Sequence, residues 1–292
     1  MKVALFNGFS VHFECMGSYI HYCKERGLDY TVYILPKHKH KWPEFFKTYL
    51  DPNMKTVYPH MDEDEINKYD KIIILNDDEI FLHERFNTYP QMIVIDHGKG
   101  SRRPKVPVHL ETRPHSNCDM KYVYSLVPWL TKEKKKEILN KENQINLVIV
   151  GGHYHKLNLL NKLKADWNNV KLFVISRKIK KEDFSNIKNI EFVEDCDTFK
   201  MYDIVSKCHY LLFVDVQPHL IVEAVSSSVG MCFSNLCRPI MTKEYNSIYK
   251  FKSPIYFEDE PQLDLNVNID IADEDLQAML KNNKESLDSV LN

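Results

Sequence analysis

The chain has 292 residues, 43% of them hydrophobic and 27% charged, with 39 Lys and Arg against 41 Asp and Glu for a formal net charge of -2. This is the composition of a soluble globular protein, long enough for one large domain or two of ordinary size, and the charge balance argues against a general nucleic-acid binder. The seven Cys form no C-x-x-C pair, and an odd, scattered set argues against a disulfide framework. Five of them, Cys15, Cys23, Cys208, Cys232 and Cys237, fall in or beside apolar segments, the pattern of buried, reduced thiols in a cytoplasmic protein. No apolar run approaches the length of a membrane span. The opening residues 1–7 read as a first strand and not as a signal peptide.

In chain order, residues 3–6 are expected to form a strand and 7–14 a loop. Residues 15–26 have the pattern of an amphipathic helix closed by Gly27, and 29–35 of a second strand. This is the opening of a Rossmann-like βαβ unit. It lacks G-x-G-x-x-G, so a tight dinucleotide cradle is not expected. Residues 36–43 form a basic, proline-flanked loop whose His38 and His40 have no second ligand pair at metal-binding spacing. Short helices are expected at 44–50 and 62–69, then a buried strand at 71–75 running into Asn76, Asp77, Asp78 and Glu79. The strand at 91–96 delivers His97 and Gly98 to the same edge as the earlier loops. A His there can reach a ligand, and Asp96 could hold its tautomer, although adjacent side chains on an extended chain point opposite ways. Residues 102–114, with Arg102, Arg103, Pro104, Pro107, Arg113 and Pro114, read as a long irregular loop, and His115 is a further polar candidate. Residues 121–127 read as the last strand of a first domain, 1–127. A charged helix and a change of composition place the interdomain connection at 128–144.

A second series fills 145–292. It comprises a strand at 145–150, the turn Gly151, Gly152, His153, Tyr154, His155 and Lys156, a helix to Asp166, and a strand at 170–175 followed by Arg177 and Lys178. Two glycines at a helix start let backbone N–H groups approach a phosphate. A strand at 189–193 and a helix at 197–207 lead to the apolar strand 210–214, a polar turn at 215–219, a helix at about 220–228 and a strand at 230–233. The region of Tyr245, Tyr249, Tyr256 and Phe257 is expected to be irregular. Residues 273–291 form a final amphipathic helix, and the pattern does not say which domain it joins.

Two acids remain to be explained. Asp215 sits in the turn, and Glu223, eight residues later, lies among Ile221, Val222, Ala224 and Val225. A carboxylate in such surroundings is costly to bury without a partner. Acid-x7-Glu, with Glu223 and Ala224 followed by Ser228 and Gly230, resembles the signature of nucleotide-sugar glycosyltransferases of the GT-B architecture. That resemblance implies an α/β chain of two Rossmann-like domains facing a cleft. It implies that Glu223 binds the donor ribose and that Asp215 and His219 lie near the donor sugar, Asp215 standing where Glu is usual. It implies that Gly151, Gly152, His153, Lys156, Arg177 and Lys178 meet the diphosphate, with Gly-Gly-His in place of the usual Gly-Arg. Phe192, Val193 and Asp195 become candidates for a base pocket, His97 for an acid/base or acceptor-binding role, and Gly8, Ser10 and His12 for acceptor contact. The implied activity transfers a sugar from a nucleoside diphosphate sugar, UDP or GDP favoured, to a glycan or other hydroxyl acceptor, with retention of configuration and without metal or cofactor. A nucleotide-sugar 2-epimerase, a polyol-phosphate transferase or a non-catalytic nucleotide- or glycan-binding protein on the same architecture are the alternatives. The acidic residues 77–79 also resemble the Asp-x-Asp metal site of the GT-A fold, which would not explain the strand-helix order downstream.

Overall fold

The structure is a computed structural model that describes residues 1–7, 13–34, 41–57, 63–76, 89–96, 108–112, 114, 121–151, 157–176, 179–185, 187–214 and 227–292. The chain divides into two compact units, one built mainly from Met1–Pro128 and Met279–Asn292, the other from Trp129–Ile221 and Ser228–Ala278.

The first unit holds β1 (Lys2–Asn7), α1 (Glu14–Glu25), β2 (Asp29–Ile34), α2 (Trp42–Tyr49), β3 (Lys55–Val57), α3 (Glu63–Ile66), β4 (Lys71–Asn76), β5 (Met92–Asp96) and β6 (Val108–Glu111). Its six strands are all parallel, in the order β3-β2-β1-β4-β5-β6. Strands that are apolar on both faces demand cover on both sides. Val3, Ala4, Leu5, Ile72, Ile73 and Leu75 have no exposed surface, and on one face Ala4, Phe6, Tyr33, Ile72, Ile74, Met92 and Val94 form one cluster. Gly27, at positive φ, ends α1 as anticipated: its N–H bonds the Lys24 carbonyl, and that of Leu28 bonds the Cys23 carbonyl, the two bonds of a Schellman cap.

The end of this unit departs from the sequence expectation. Val108–Glu111, read as loop because prolines surround it, is the edge strand β6. Residues 121–127, read as a strand, pair with the sheet only through a bridge between Tyr122 and Glu111. Beyond that bridge, side chains satisfy the backbone. Ser18 Oγ donates to the Tyr124 carbonyl (2.6 Å) and accepts from the Leu126 N–H (2.9 Å), and Asn282 Nδ2 donates to the Tyr122 carbonyl (2.9 Å). An apolar extended run thus finds its hydrogen bonds outside a ladder, which a propensity reading cannot distinguish from a strand. β3 was not anticipated either, since three residues carry too little pattern.

The second unit holds α4 (Lys132–Leu139), β7 (Ile145–Val150), β8 (Val170–Ser176), β9 (Ile190–Glu194), α5 (Thr198–Ser206), β10 (Tyr210–Leu212), α6 (Ser227–Ser234), β11 (Arg238–Met241), α7 (Lys243–Tyr249) and β12 (Ile255–Tyr256). Thr131, Asp197 and Thr242 cap α4, α5 and α7, each accepting the N–H three residues on. All six strands are again parallel, ordered β12-β11-β10-β7-β8-β9. Counted along the chain within each unit, both sheets therefore have the Rossmann order 3-2-1-4-5-6.

Three expectations fail in this unit. Residues 230–233, read as a strand, lie inside α6, and the strand is Arg238–Met241; a four-residue apolar run has no period that separates helix from strand. The helix expected to reach Asp166 is a 3-10 turn, Leu157–Lys162. The region expected to be irregular contains α7 and β12. Of the helix expected at 220–228, only its last two residues are described, and they belong to α6.

The final helix, α8 (Ile269–Leu291), begins in the second unit and from Met279 belongs to the first. Within the second unit, its Asp275 accepts the Lys252 and Ser253 N–H groups at 3.0 and 2.7 Å. Lys135 of α4 is wholly buried and donates to the Ser206 and Cys208 carbonyls at the carboxyl end of α5 (2.8 and 2.7 Å), where the helix dipole favours a cation. Cys15, Cys23, Cys208, Cys232 and Cys237 are buried free thiols, as their apolar neighbours indicated. No helix among the described residues is long and apolar enough to cross a membrane.

Candidate functional site

In an open α/β sheet ligands bind beyond the carboxyl ends of the strands, where the strand order reverses. In the second sheet that place lies between β7 and β10, which pair directly, Tyr210 against Leu147 and Leu211 against Val148. β7 leaves the sheet at Val150 and passes into Gly151. β10 continues through Phe213, whose N–H bonds the Ile240 carbonyl at 2.9 Å, to Val214, both buried. On the other side of β7, β8 ends at Ser176.

Gly151 is therefore the described member of the predicted donor site. Its N–H donates to the Ile175 carbonyl of β8 at 3.0 Å, and its φ of 120° is a conformation that side chains do not tolerate. The first of the two glycines is thus a backbone requirement and not simply a turn preference. Gly152, His153, Lys156, Arg177, Lys178, Asp215, His219 and Glu223 lie outside the described residues. The strands that lead into them are described: β8, β7 and β10 are successive neighbours, so their exits stand about 5 Å apart from one strand to the next. The residues that follow Val150, Ser176 and Val214 in the sequence, among them Gly151, Arg177 and Asp215, all continue from that short stretch of one sheet edge.

Of the proposed base-pocket residues, Val193 is buried and Phe192 packs edge-on against Phe184, with ring centroids 5.6 Å apart and the Lys181 ammonium 5.7 Å from the Phe192 ring. Both belong to the packing of the unit. Asp195 is exposed, at φ 47°, with its N–H on the Ser176 carbonyl.

In the first unit, His97, Gly8, Ser10, His12, Arg113 and His115 also lie outside the described residues. His97 follows the last residue of β5, and Gly8 the last residue of β1. The sequence reading missed two polar groups at this edge, Glu111 and Thr112, at the end of β6 and nearly fully buried, with Glu111 paired in register with Asp96. The signal was hidden because the segment read as loop. It also passed over Asn7, a fully buried carboxamide closing an apolar strand. Among the described residues no group of three His, Cys, Asp or Glu is arranged to hold a metal.

At the opposite end of β10, His209 is buried, and its Nδ1 accepts the Asn146 N–H at 3.1 Å. Burial first, and the Lys135 ammonium second, lower its pKa to about 4, while Asp264 acts the other way. It is held neutral and belongs to the scaffold.

No family model and no curated protein matches the sequence. Solved structures do match along the whole chain. AviGT4, a glycosyltransferase involved in avilamycin A biosynthesis, superposes with a TM-score of 0.53 at 12% identity, over 100% of this chain and 97% of the other. S. aureus MnaA, in a co-structure with UDP, gives 0.51 at 11% identity, over 98% and 90%. The chain has a GT-B-like fold. Identities this low establish the architecture alone, and in that architecture each Rossmann-like unit offers one carboxyl edge: Asn7, Asp96 and Glu111 in the first, Gly151, Ser176 and Val214 in the second.

Proposed function

We propose that this GT-B-like chain is a glycosyltransferase that moves a sugar from a nucleoside diphosphate sugar to a hydroxyl acceptor. The observation that supports this most is the adjacency of the β7 and β10 exits at the switch point of the second sheet. It starts the glycine turn and the Asp215-x7-Glu223 segment from neighbouring strands at the edge where such sheets take ligands. UDP is the first nucleotide to test, since MnaA was solved with it.

In this reading the second unit binds the donor. Glu223 accepts hydrogen bonds from the ribose hydroxyls, Asp215 and His219 meet the donor sugar, and the backbone at Gly151 and Gly152, with His153 and Lys156, meets the diphosphate. Arg177 and Lys178 offset the charge that grows on the leaving group. The anomeric carbon-to-phosphate oxygen bond breaks, the diphosphate departs with the electron pair, and the acceptor oxygen forms the new bond as its proton passes to a base. No metal enters this scheme, because fixed cations and backbone dipoles stabilise the departing charge. His97 is the proposed base or acceptor contact, and Gly8, Ser10 and His12 line the acceptor side.

The test is a thermal-shift screen of the native chain with UDP, GDP, CDP, ADP and dTDP, followed by the same measurement on Glu223→Ala. A ligand that binds only the folded state raises the melting temperature. Loss of the ribose contact is expected to weaken binding by about 1.5–3 kcal/mol, with the unliganded melting temperature unchanged. An unaltered affinity in folded Glu223→Ala would remove the assignment. Consumption of a donor with no acceptor and no release of free sugar would point to the epimerase instead.

A further inference from the structure

α4 carries Lys132, Lys134, Lys135 and Lys136, and it turns one of them inward: Lys135 has no exposed surface, where an amphipathic helix ordinarily sets an apolar residue. An ammonium has three donors and is costly to bury unless they are used. Two of them reach the Ser206 and Cys208 carbonyls at 2.8 and 2.7 Å. Among the described residues the remaining partner of this nitrogen is a thiol, Cys237 Sγ, at 3.7 Å.

Local chain geometry brings that sulfur in. α6 closes with the two hydrogen bonds of a Schellman cap, from the Leu236 N–H to the Phe233 carbonyl and from the Cys237 N–H to the Cys232 carbonyl, both 3.0 Å. Leu236, at φ 50°, takes the left-handed position. Cys237 follows it, wholly buried, with its Sγ 3.3 and 3.4 Å from the Val205 and Cys208 carbonyl oxygens. The Cys208 carbonyl thus holds ammonium and thiol together at the carboxyl end of α5.

Two further thiols belong to the same buried group, yet only Cys237 has a nitrogen partner. Cys208 Sγ reaches the Ile204 carbonyl at 3.3 Å and Cys232 Sγ the Cys237 carbonyl at 3.2 Å. Burial pushes all three thiols up. Lys135 draws Cys237 back by its charge and by its hydrogen bond, whereas Cys208 and Cys232 feel the charge alone and stand well above the usual thiol range.

We infer that Lys135 and Cys237 form an oxidation site, at which hydrogen peroxide joins Lys135 Nζ to Cys237 Sγ through a covalent sulfur–nitrogen bond. The pair lies near the amino ends of β10 and β11, away from the edge proposed for the donor, and does not depend on the transfer reaction. The Cys237 thiolate attacks one peroxide oxygen, the O–O bond breaks and water leaves, so the sulfur gives up two electrons and becomes a sulfenic acid. The Lys135 amine, its proton released, then attacks that sulfur. The S–OH bond breaks, and its hydroxyl leaves with an amine proton as a second water. Thiol, ammonium and one peroxide give the cross-link, two waters and one proton, and two equivalents of an added thiol reverse it. The bond ties α4 to the residue before β11, 102 positions along the chain.

The experiment treats the folded native chain with hydrogen peroxide, removes the excess, alkylates remaining thiols in denaturant and maps the peptides by mass spectrometry. The peptides holding Lys135 and Cys237 are expected to appear joined, lighter by two hydrogens than their sum, with alkylation at Cys237 lost and restored by dithiothreitol. Peroxide added to the chain already unfolded in urea is expected to give no such product. Neither Lys135→Met, which puts an apolar side chain in place of the buried cation, nor Cys237→Ser should form it. The native-chain map decides the matter even where a variant fails to fold. A disulfide from Cys237 to Cys208 or Cys232, Cys237 recovered as thiol, or Cys237 oxidised further with Lys135 free would each overturn the inference.

Discussion

Asn283 of α8 grips the backbone of Tyr124 from both sides, its Oδ1 accepting from the Tyr124 N–H at 2.6 Å and its Nδ2 donating to the Tyr124 carbonyl at 3.0 Å. A buried side chain here does what a neighbouring strand would otherwise do. Replacing it removes both of these bonds, while the carbonyl keeps Ser18 Oγ as a donor. Asn283→Ala is expected to destabilise the chain by about 1–3 kcal/mol, and Asn283→Asp, which sets a buried carboxylate oxygen against the Tyr124 carbonyl, by at least as much. Urea midpoints measure both. A smaller loss in Asn283→Asp than in Asn283→Ala would mean that the bond donated to the Tyr124 carbonyl is not what matters.

Gly17 lies on the same face of α1 as that segment. A Cβ at this position would stand 2.4 Å from the Leu126 carbonyl oxygen and 2.7 Å from Val127 Cγ2, distances that real contacts do not reach. Helix propensity alone would make Gly17→Ala stabilising by about 1 kcal/mol. Overpacking against backbone works in the opposite sense, at about 1–3 kcal/mol, and is expected to win, with a larger loss for Gly17→Val. A gain in chemical stability in Gly17→Ala would show that α1 can move away from the extended segment at little cost.

His209 makes stability depend on pH. The unfolded imidazole takes up its proton near 6.5 and the folded one near 4, so between those values the unfolded chain binds more protons. Stability is therefore expected to fall as pH drops from above 6.5 to about 4, and this contribution levels off below. The shift corresponds to a loss on the order of 3 kcal/mol. His209→Gln removes the titration, so its urea midpoint should vary less over that range than the native one. Parallel curves for the two proteins would assign the pH dependence elsewhere.

Gly151 provides a prediction that joins backbone to binding. At φ 120° an alanine must move the backbone or hold a strained conformation at about 1–3 kcal/mol. In the proposed donor site either response displaces the N–H groups offered to the diphosphate. Gly151→Ala is expected to bind the preferred nucleoside diphosphate about tenfold or more weakly, measured by titration calorimetry on protein shown to be folded. Native affinity in this variant would place the diphosphate away from the β7 exit.

The repeated strand-helix series, the strands 3–6, 71–75, 145–150 and 170–175, and the Gly27 cap were legible because each rests on a local signal: a continuous apolar run, a 3.6-residue period or an obligatory glycine conformation. The same signals failed where a run was short or its partners were remote. Residues 230–233 are apolar in either secondary structure. Residues 121–127 are extended, but Ser18 and Asn282 complete their hydrogen bonds from more than a hundred residues away in sequence. β6 was concealed by the prolines on either side of it.

The candidate site divides along the same line. Residue order by itself determined that Asp215 and Glu223 are eight apart, that two glycines follow β7 and that Arg177 and Lys178 follow β8, since these are facts of covalent sequence. Only tertiary structure decided that β8, β7 and β10 are consecutive neighbours, which brings together the starting points of segments as far apart in sequence as Gly151 and Asp215. Parallel pairing is made by crossover connections and by hydrogen bonds between distant residues, so no local pattern encodes it. The register break between β1 and β4 at Asn7 has the same origin, because a bulge belongs to two strands at once and can be seen only when β4 lies against β1.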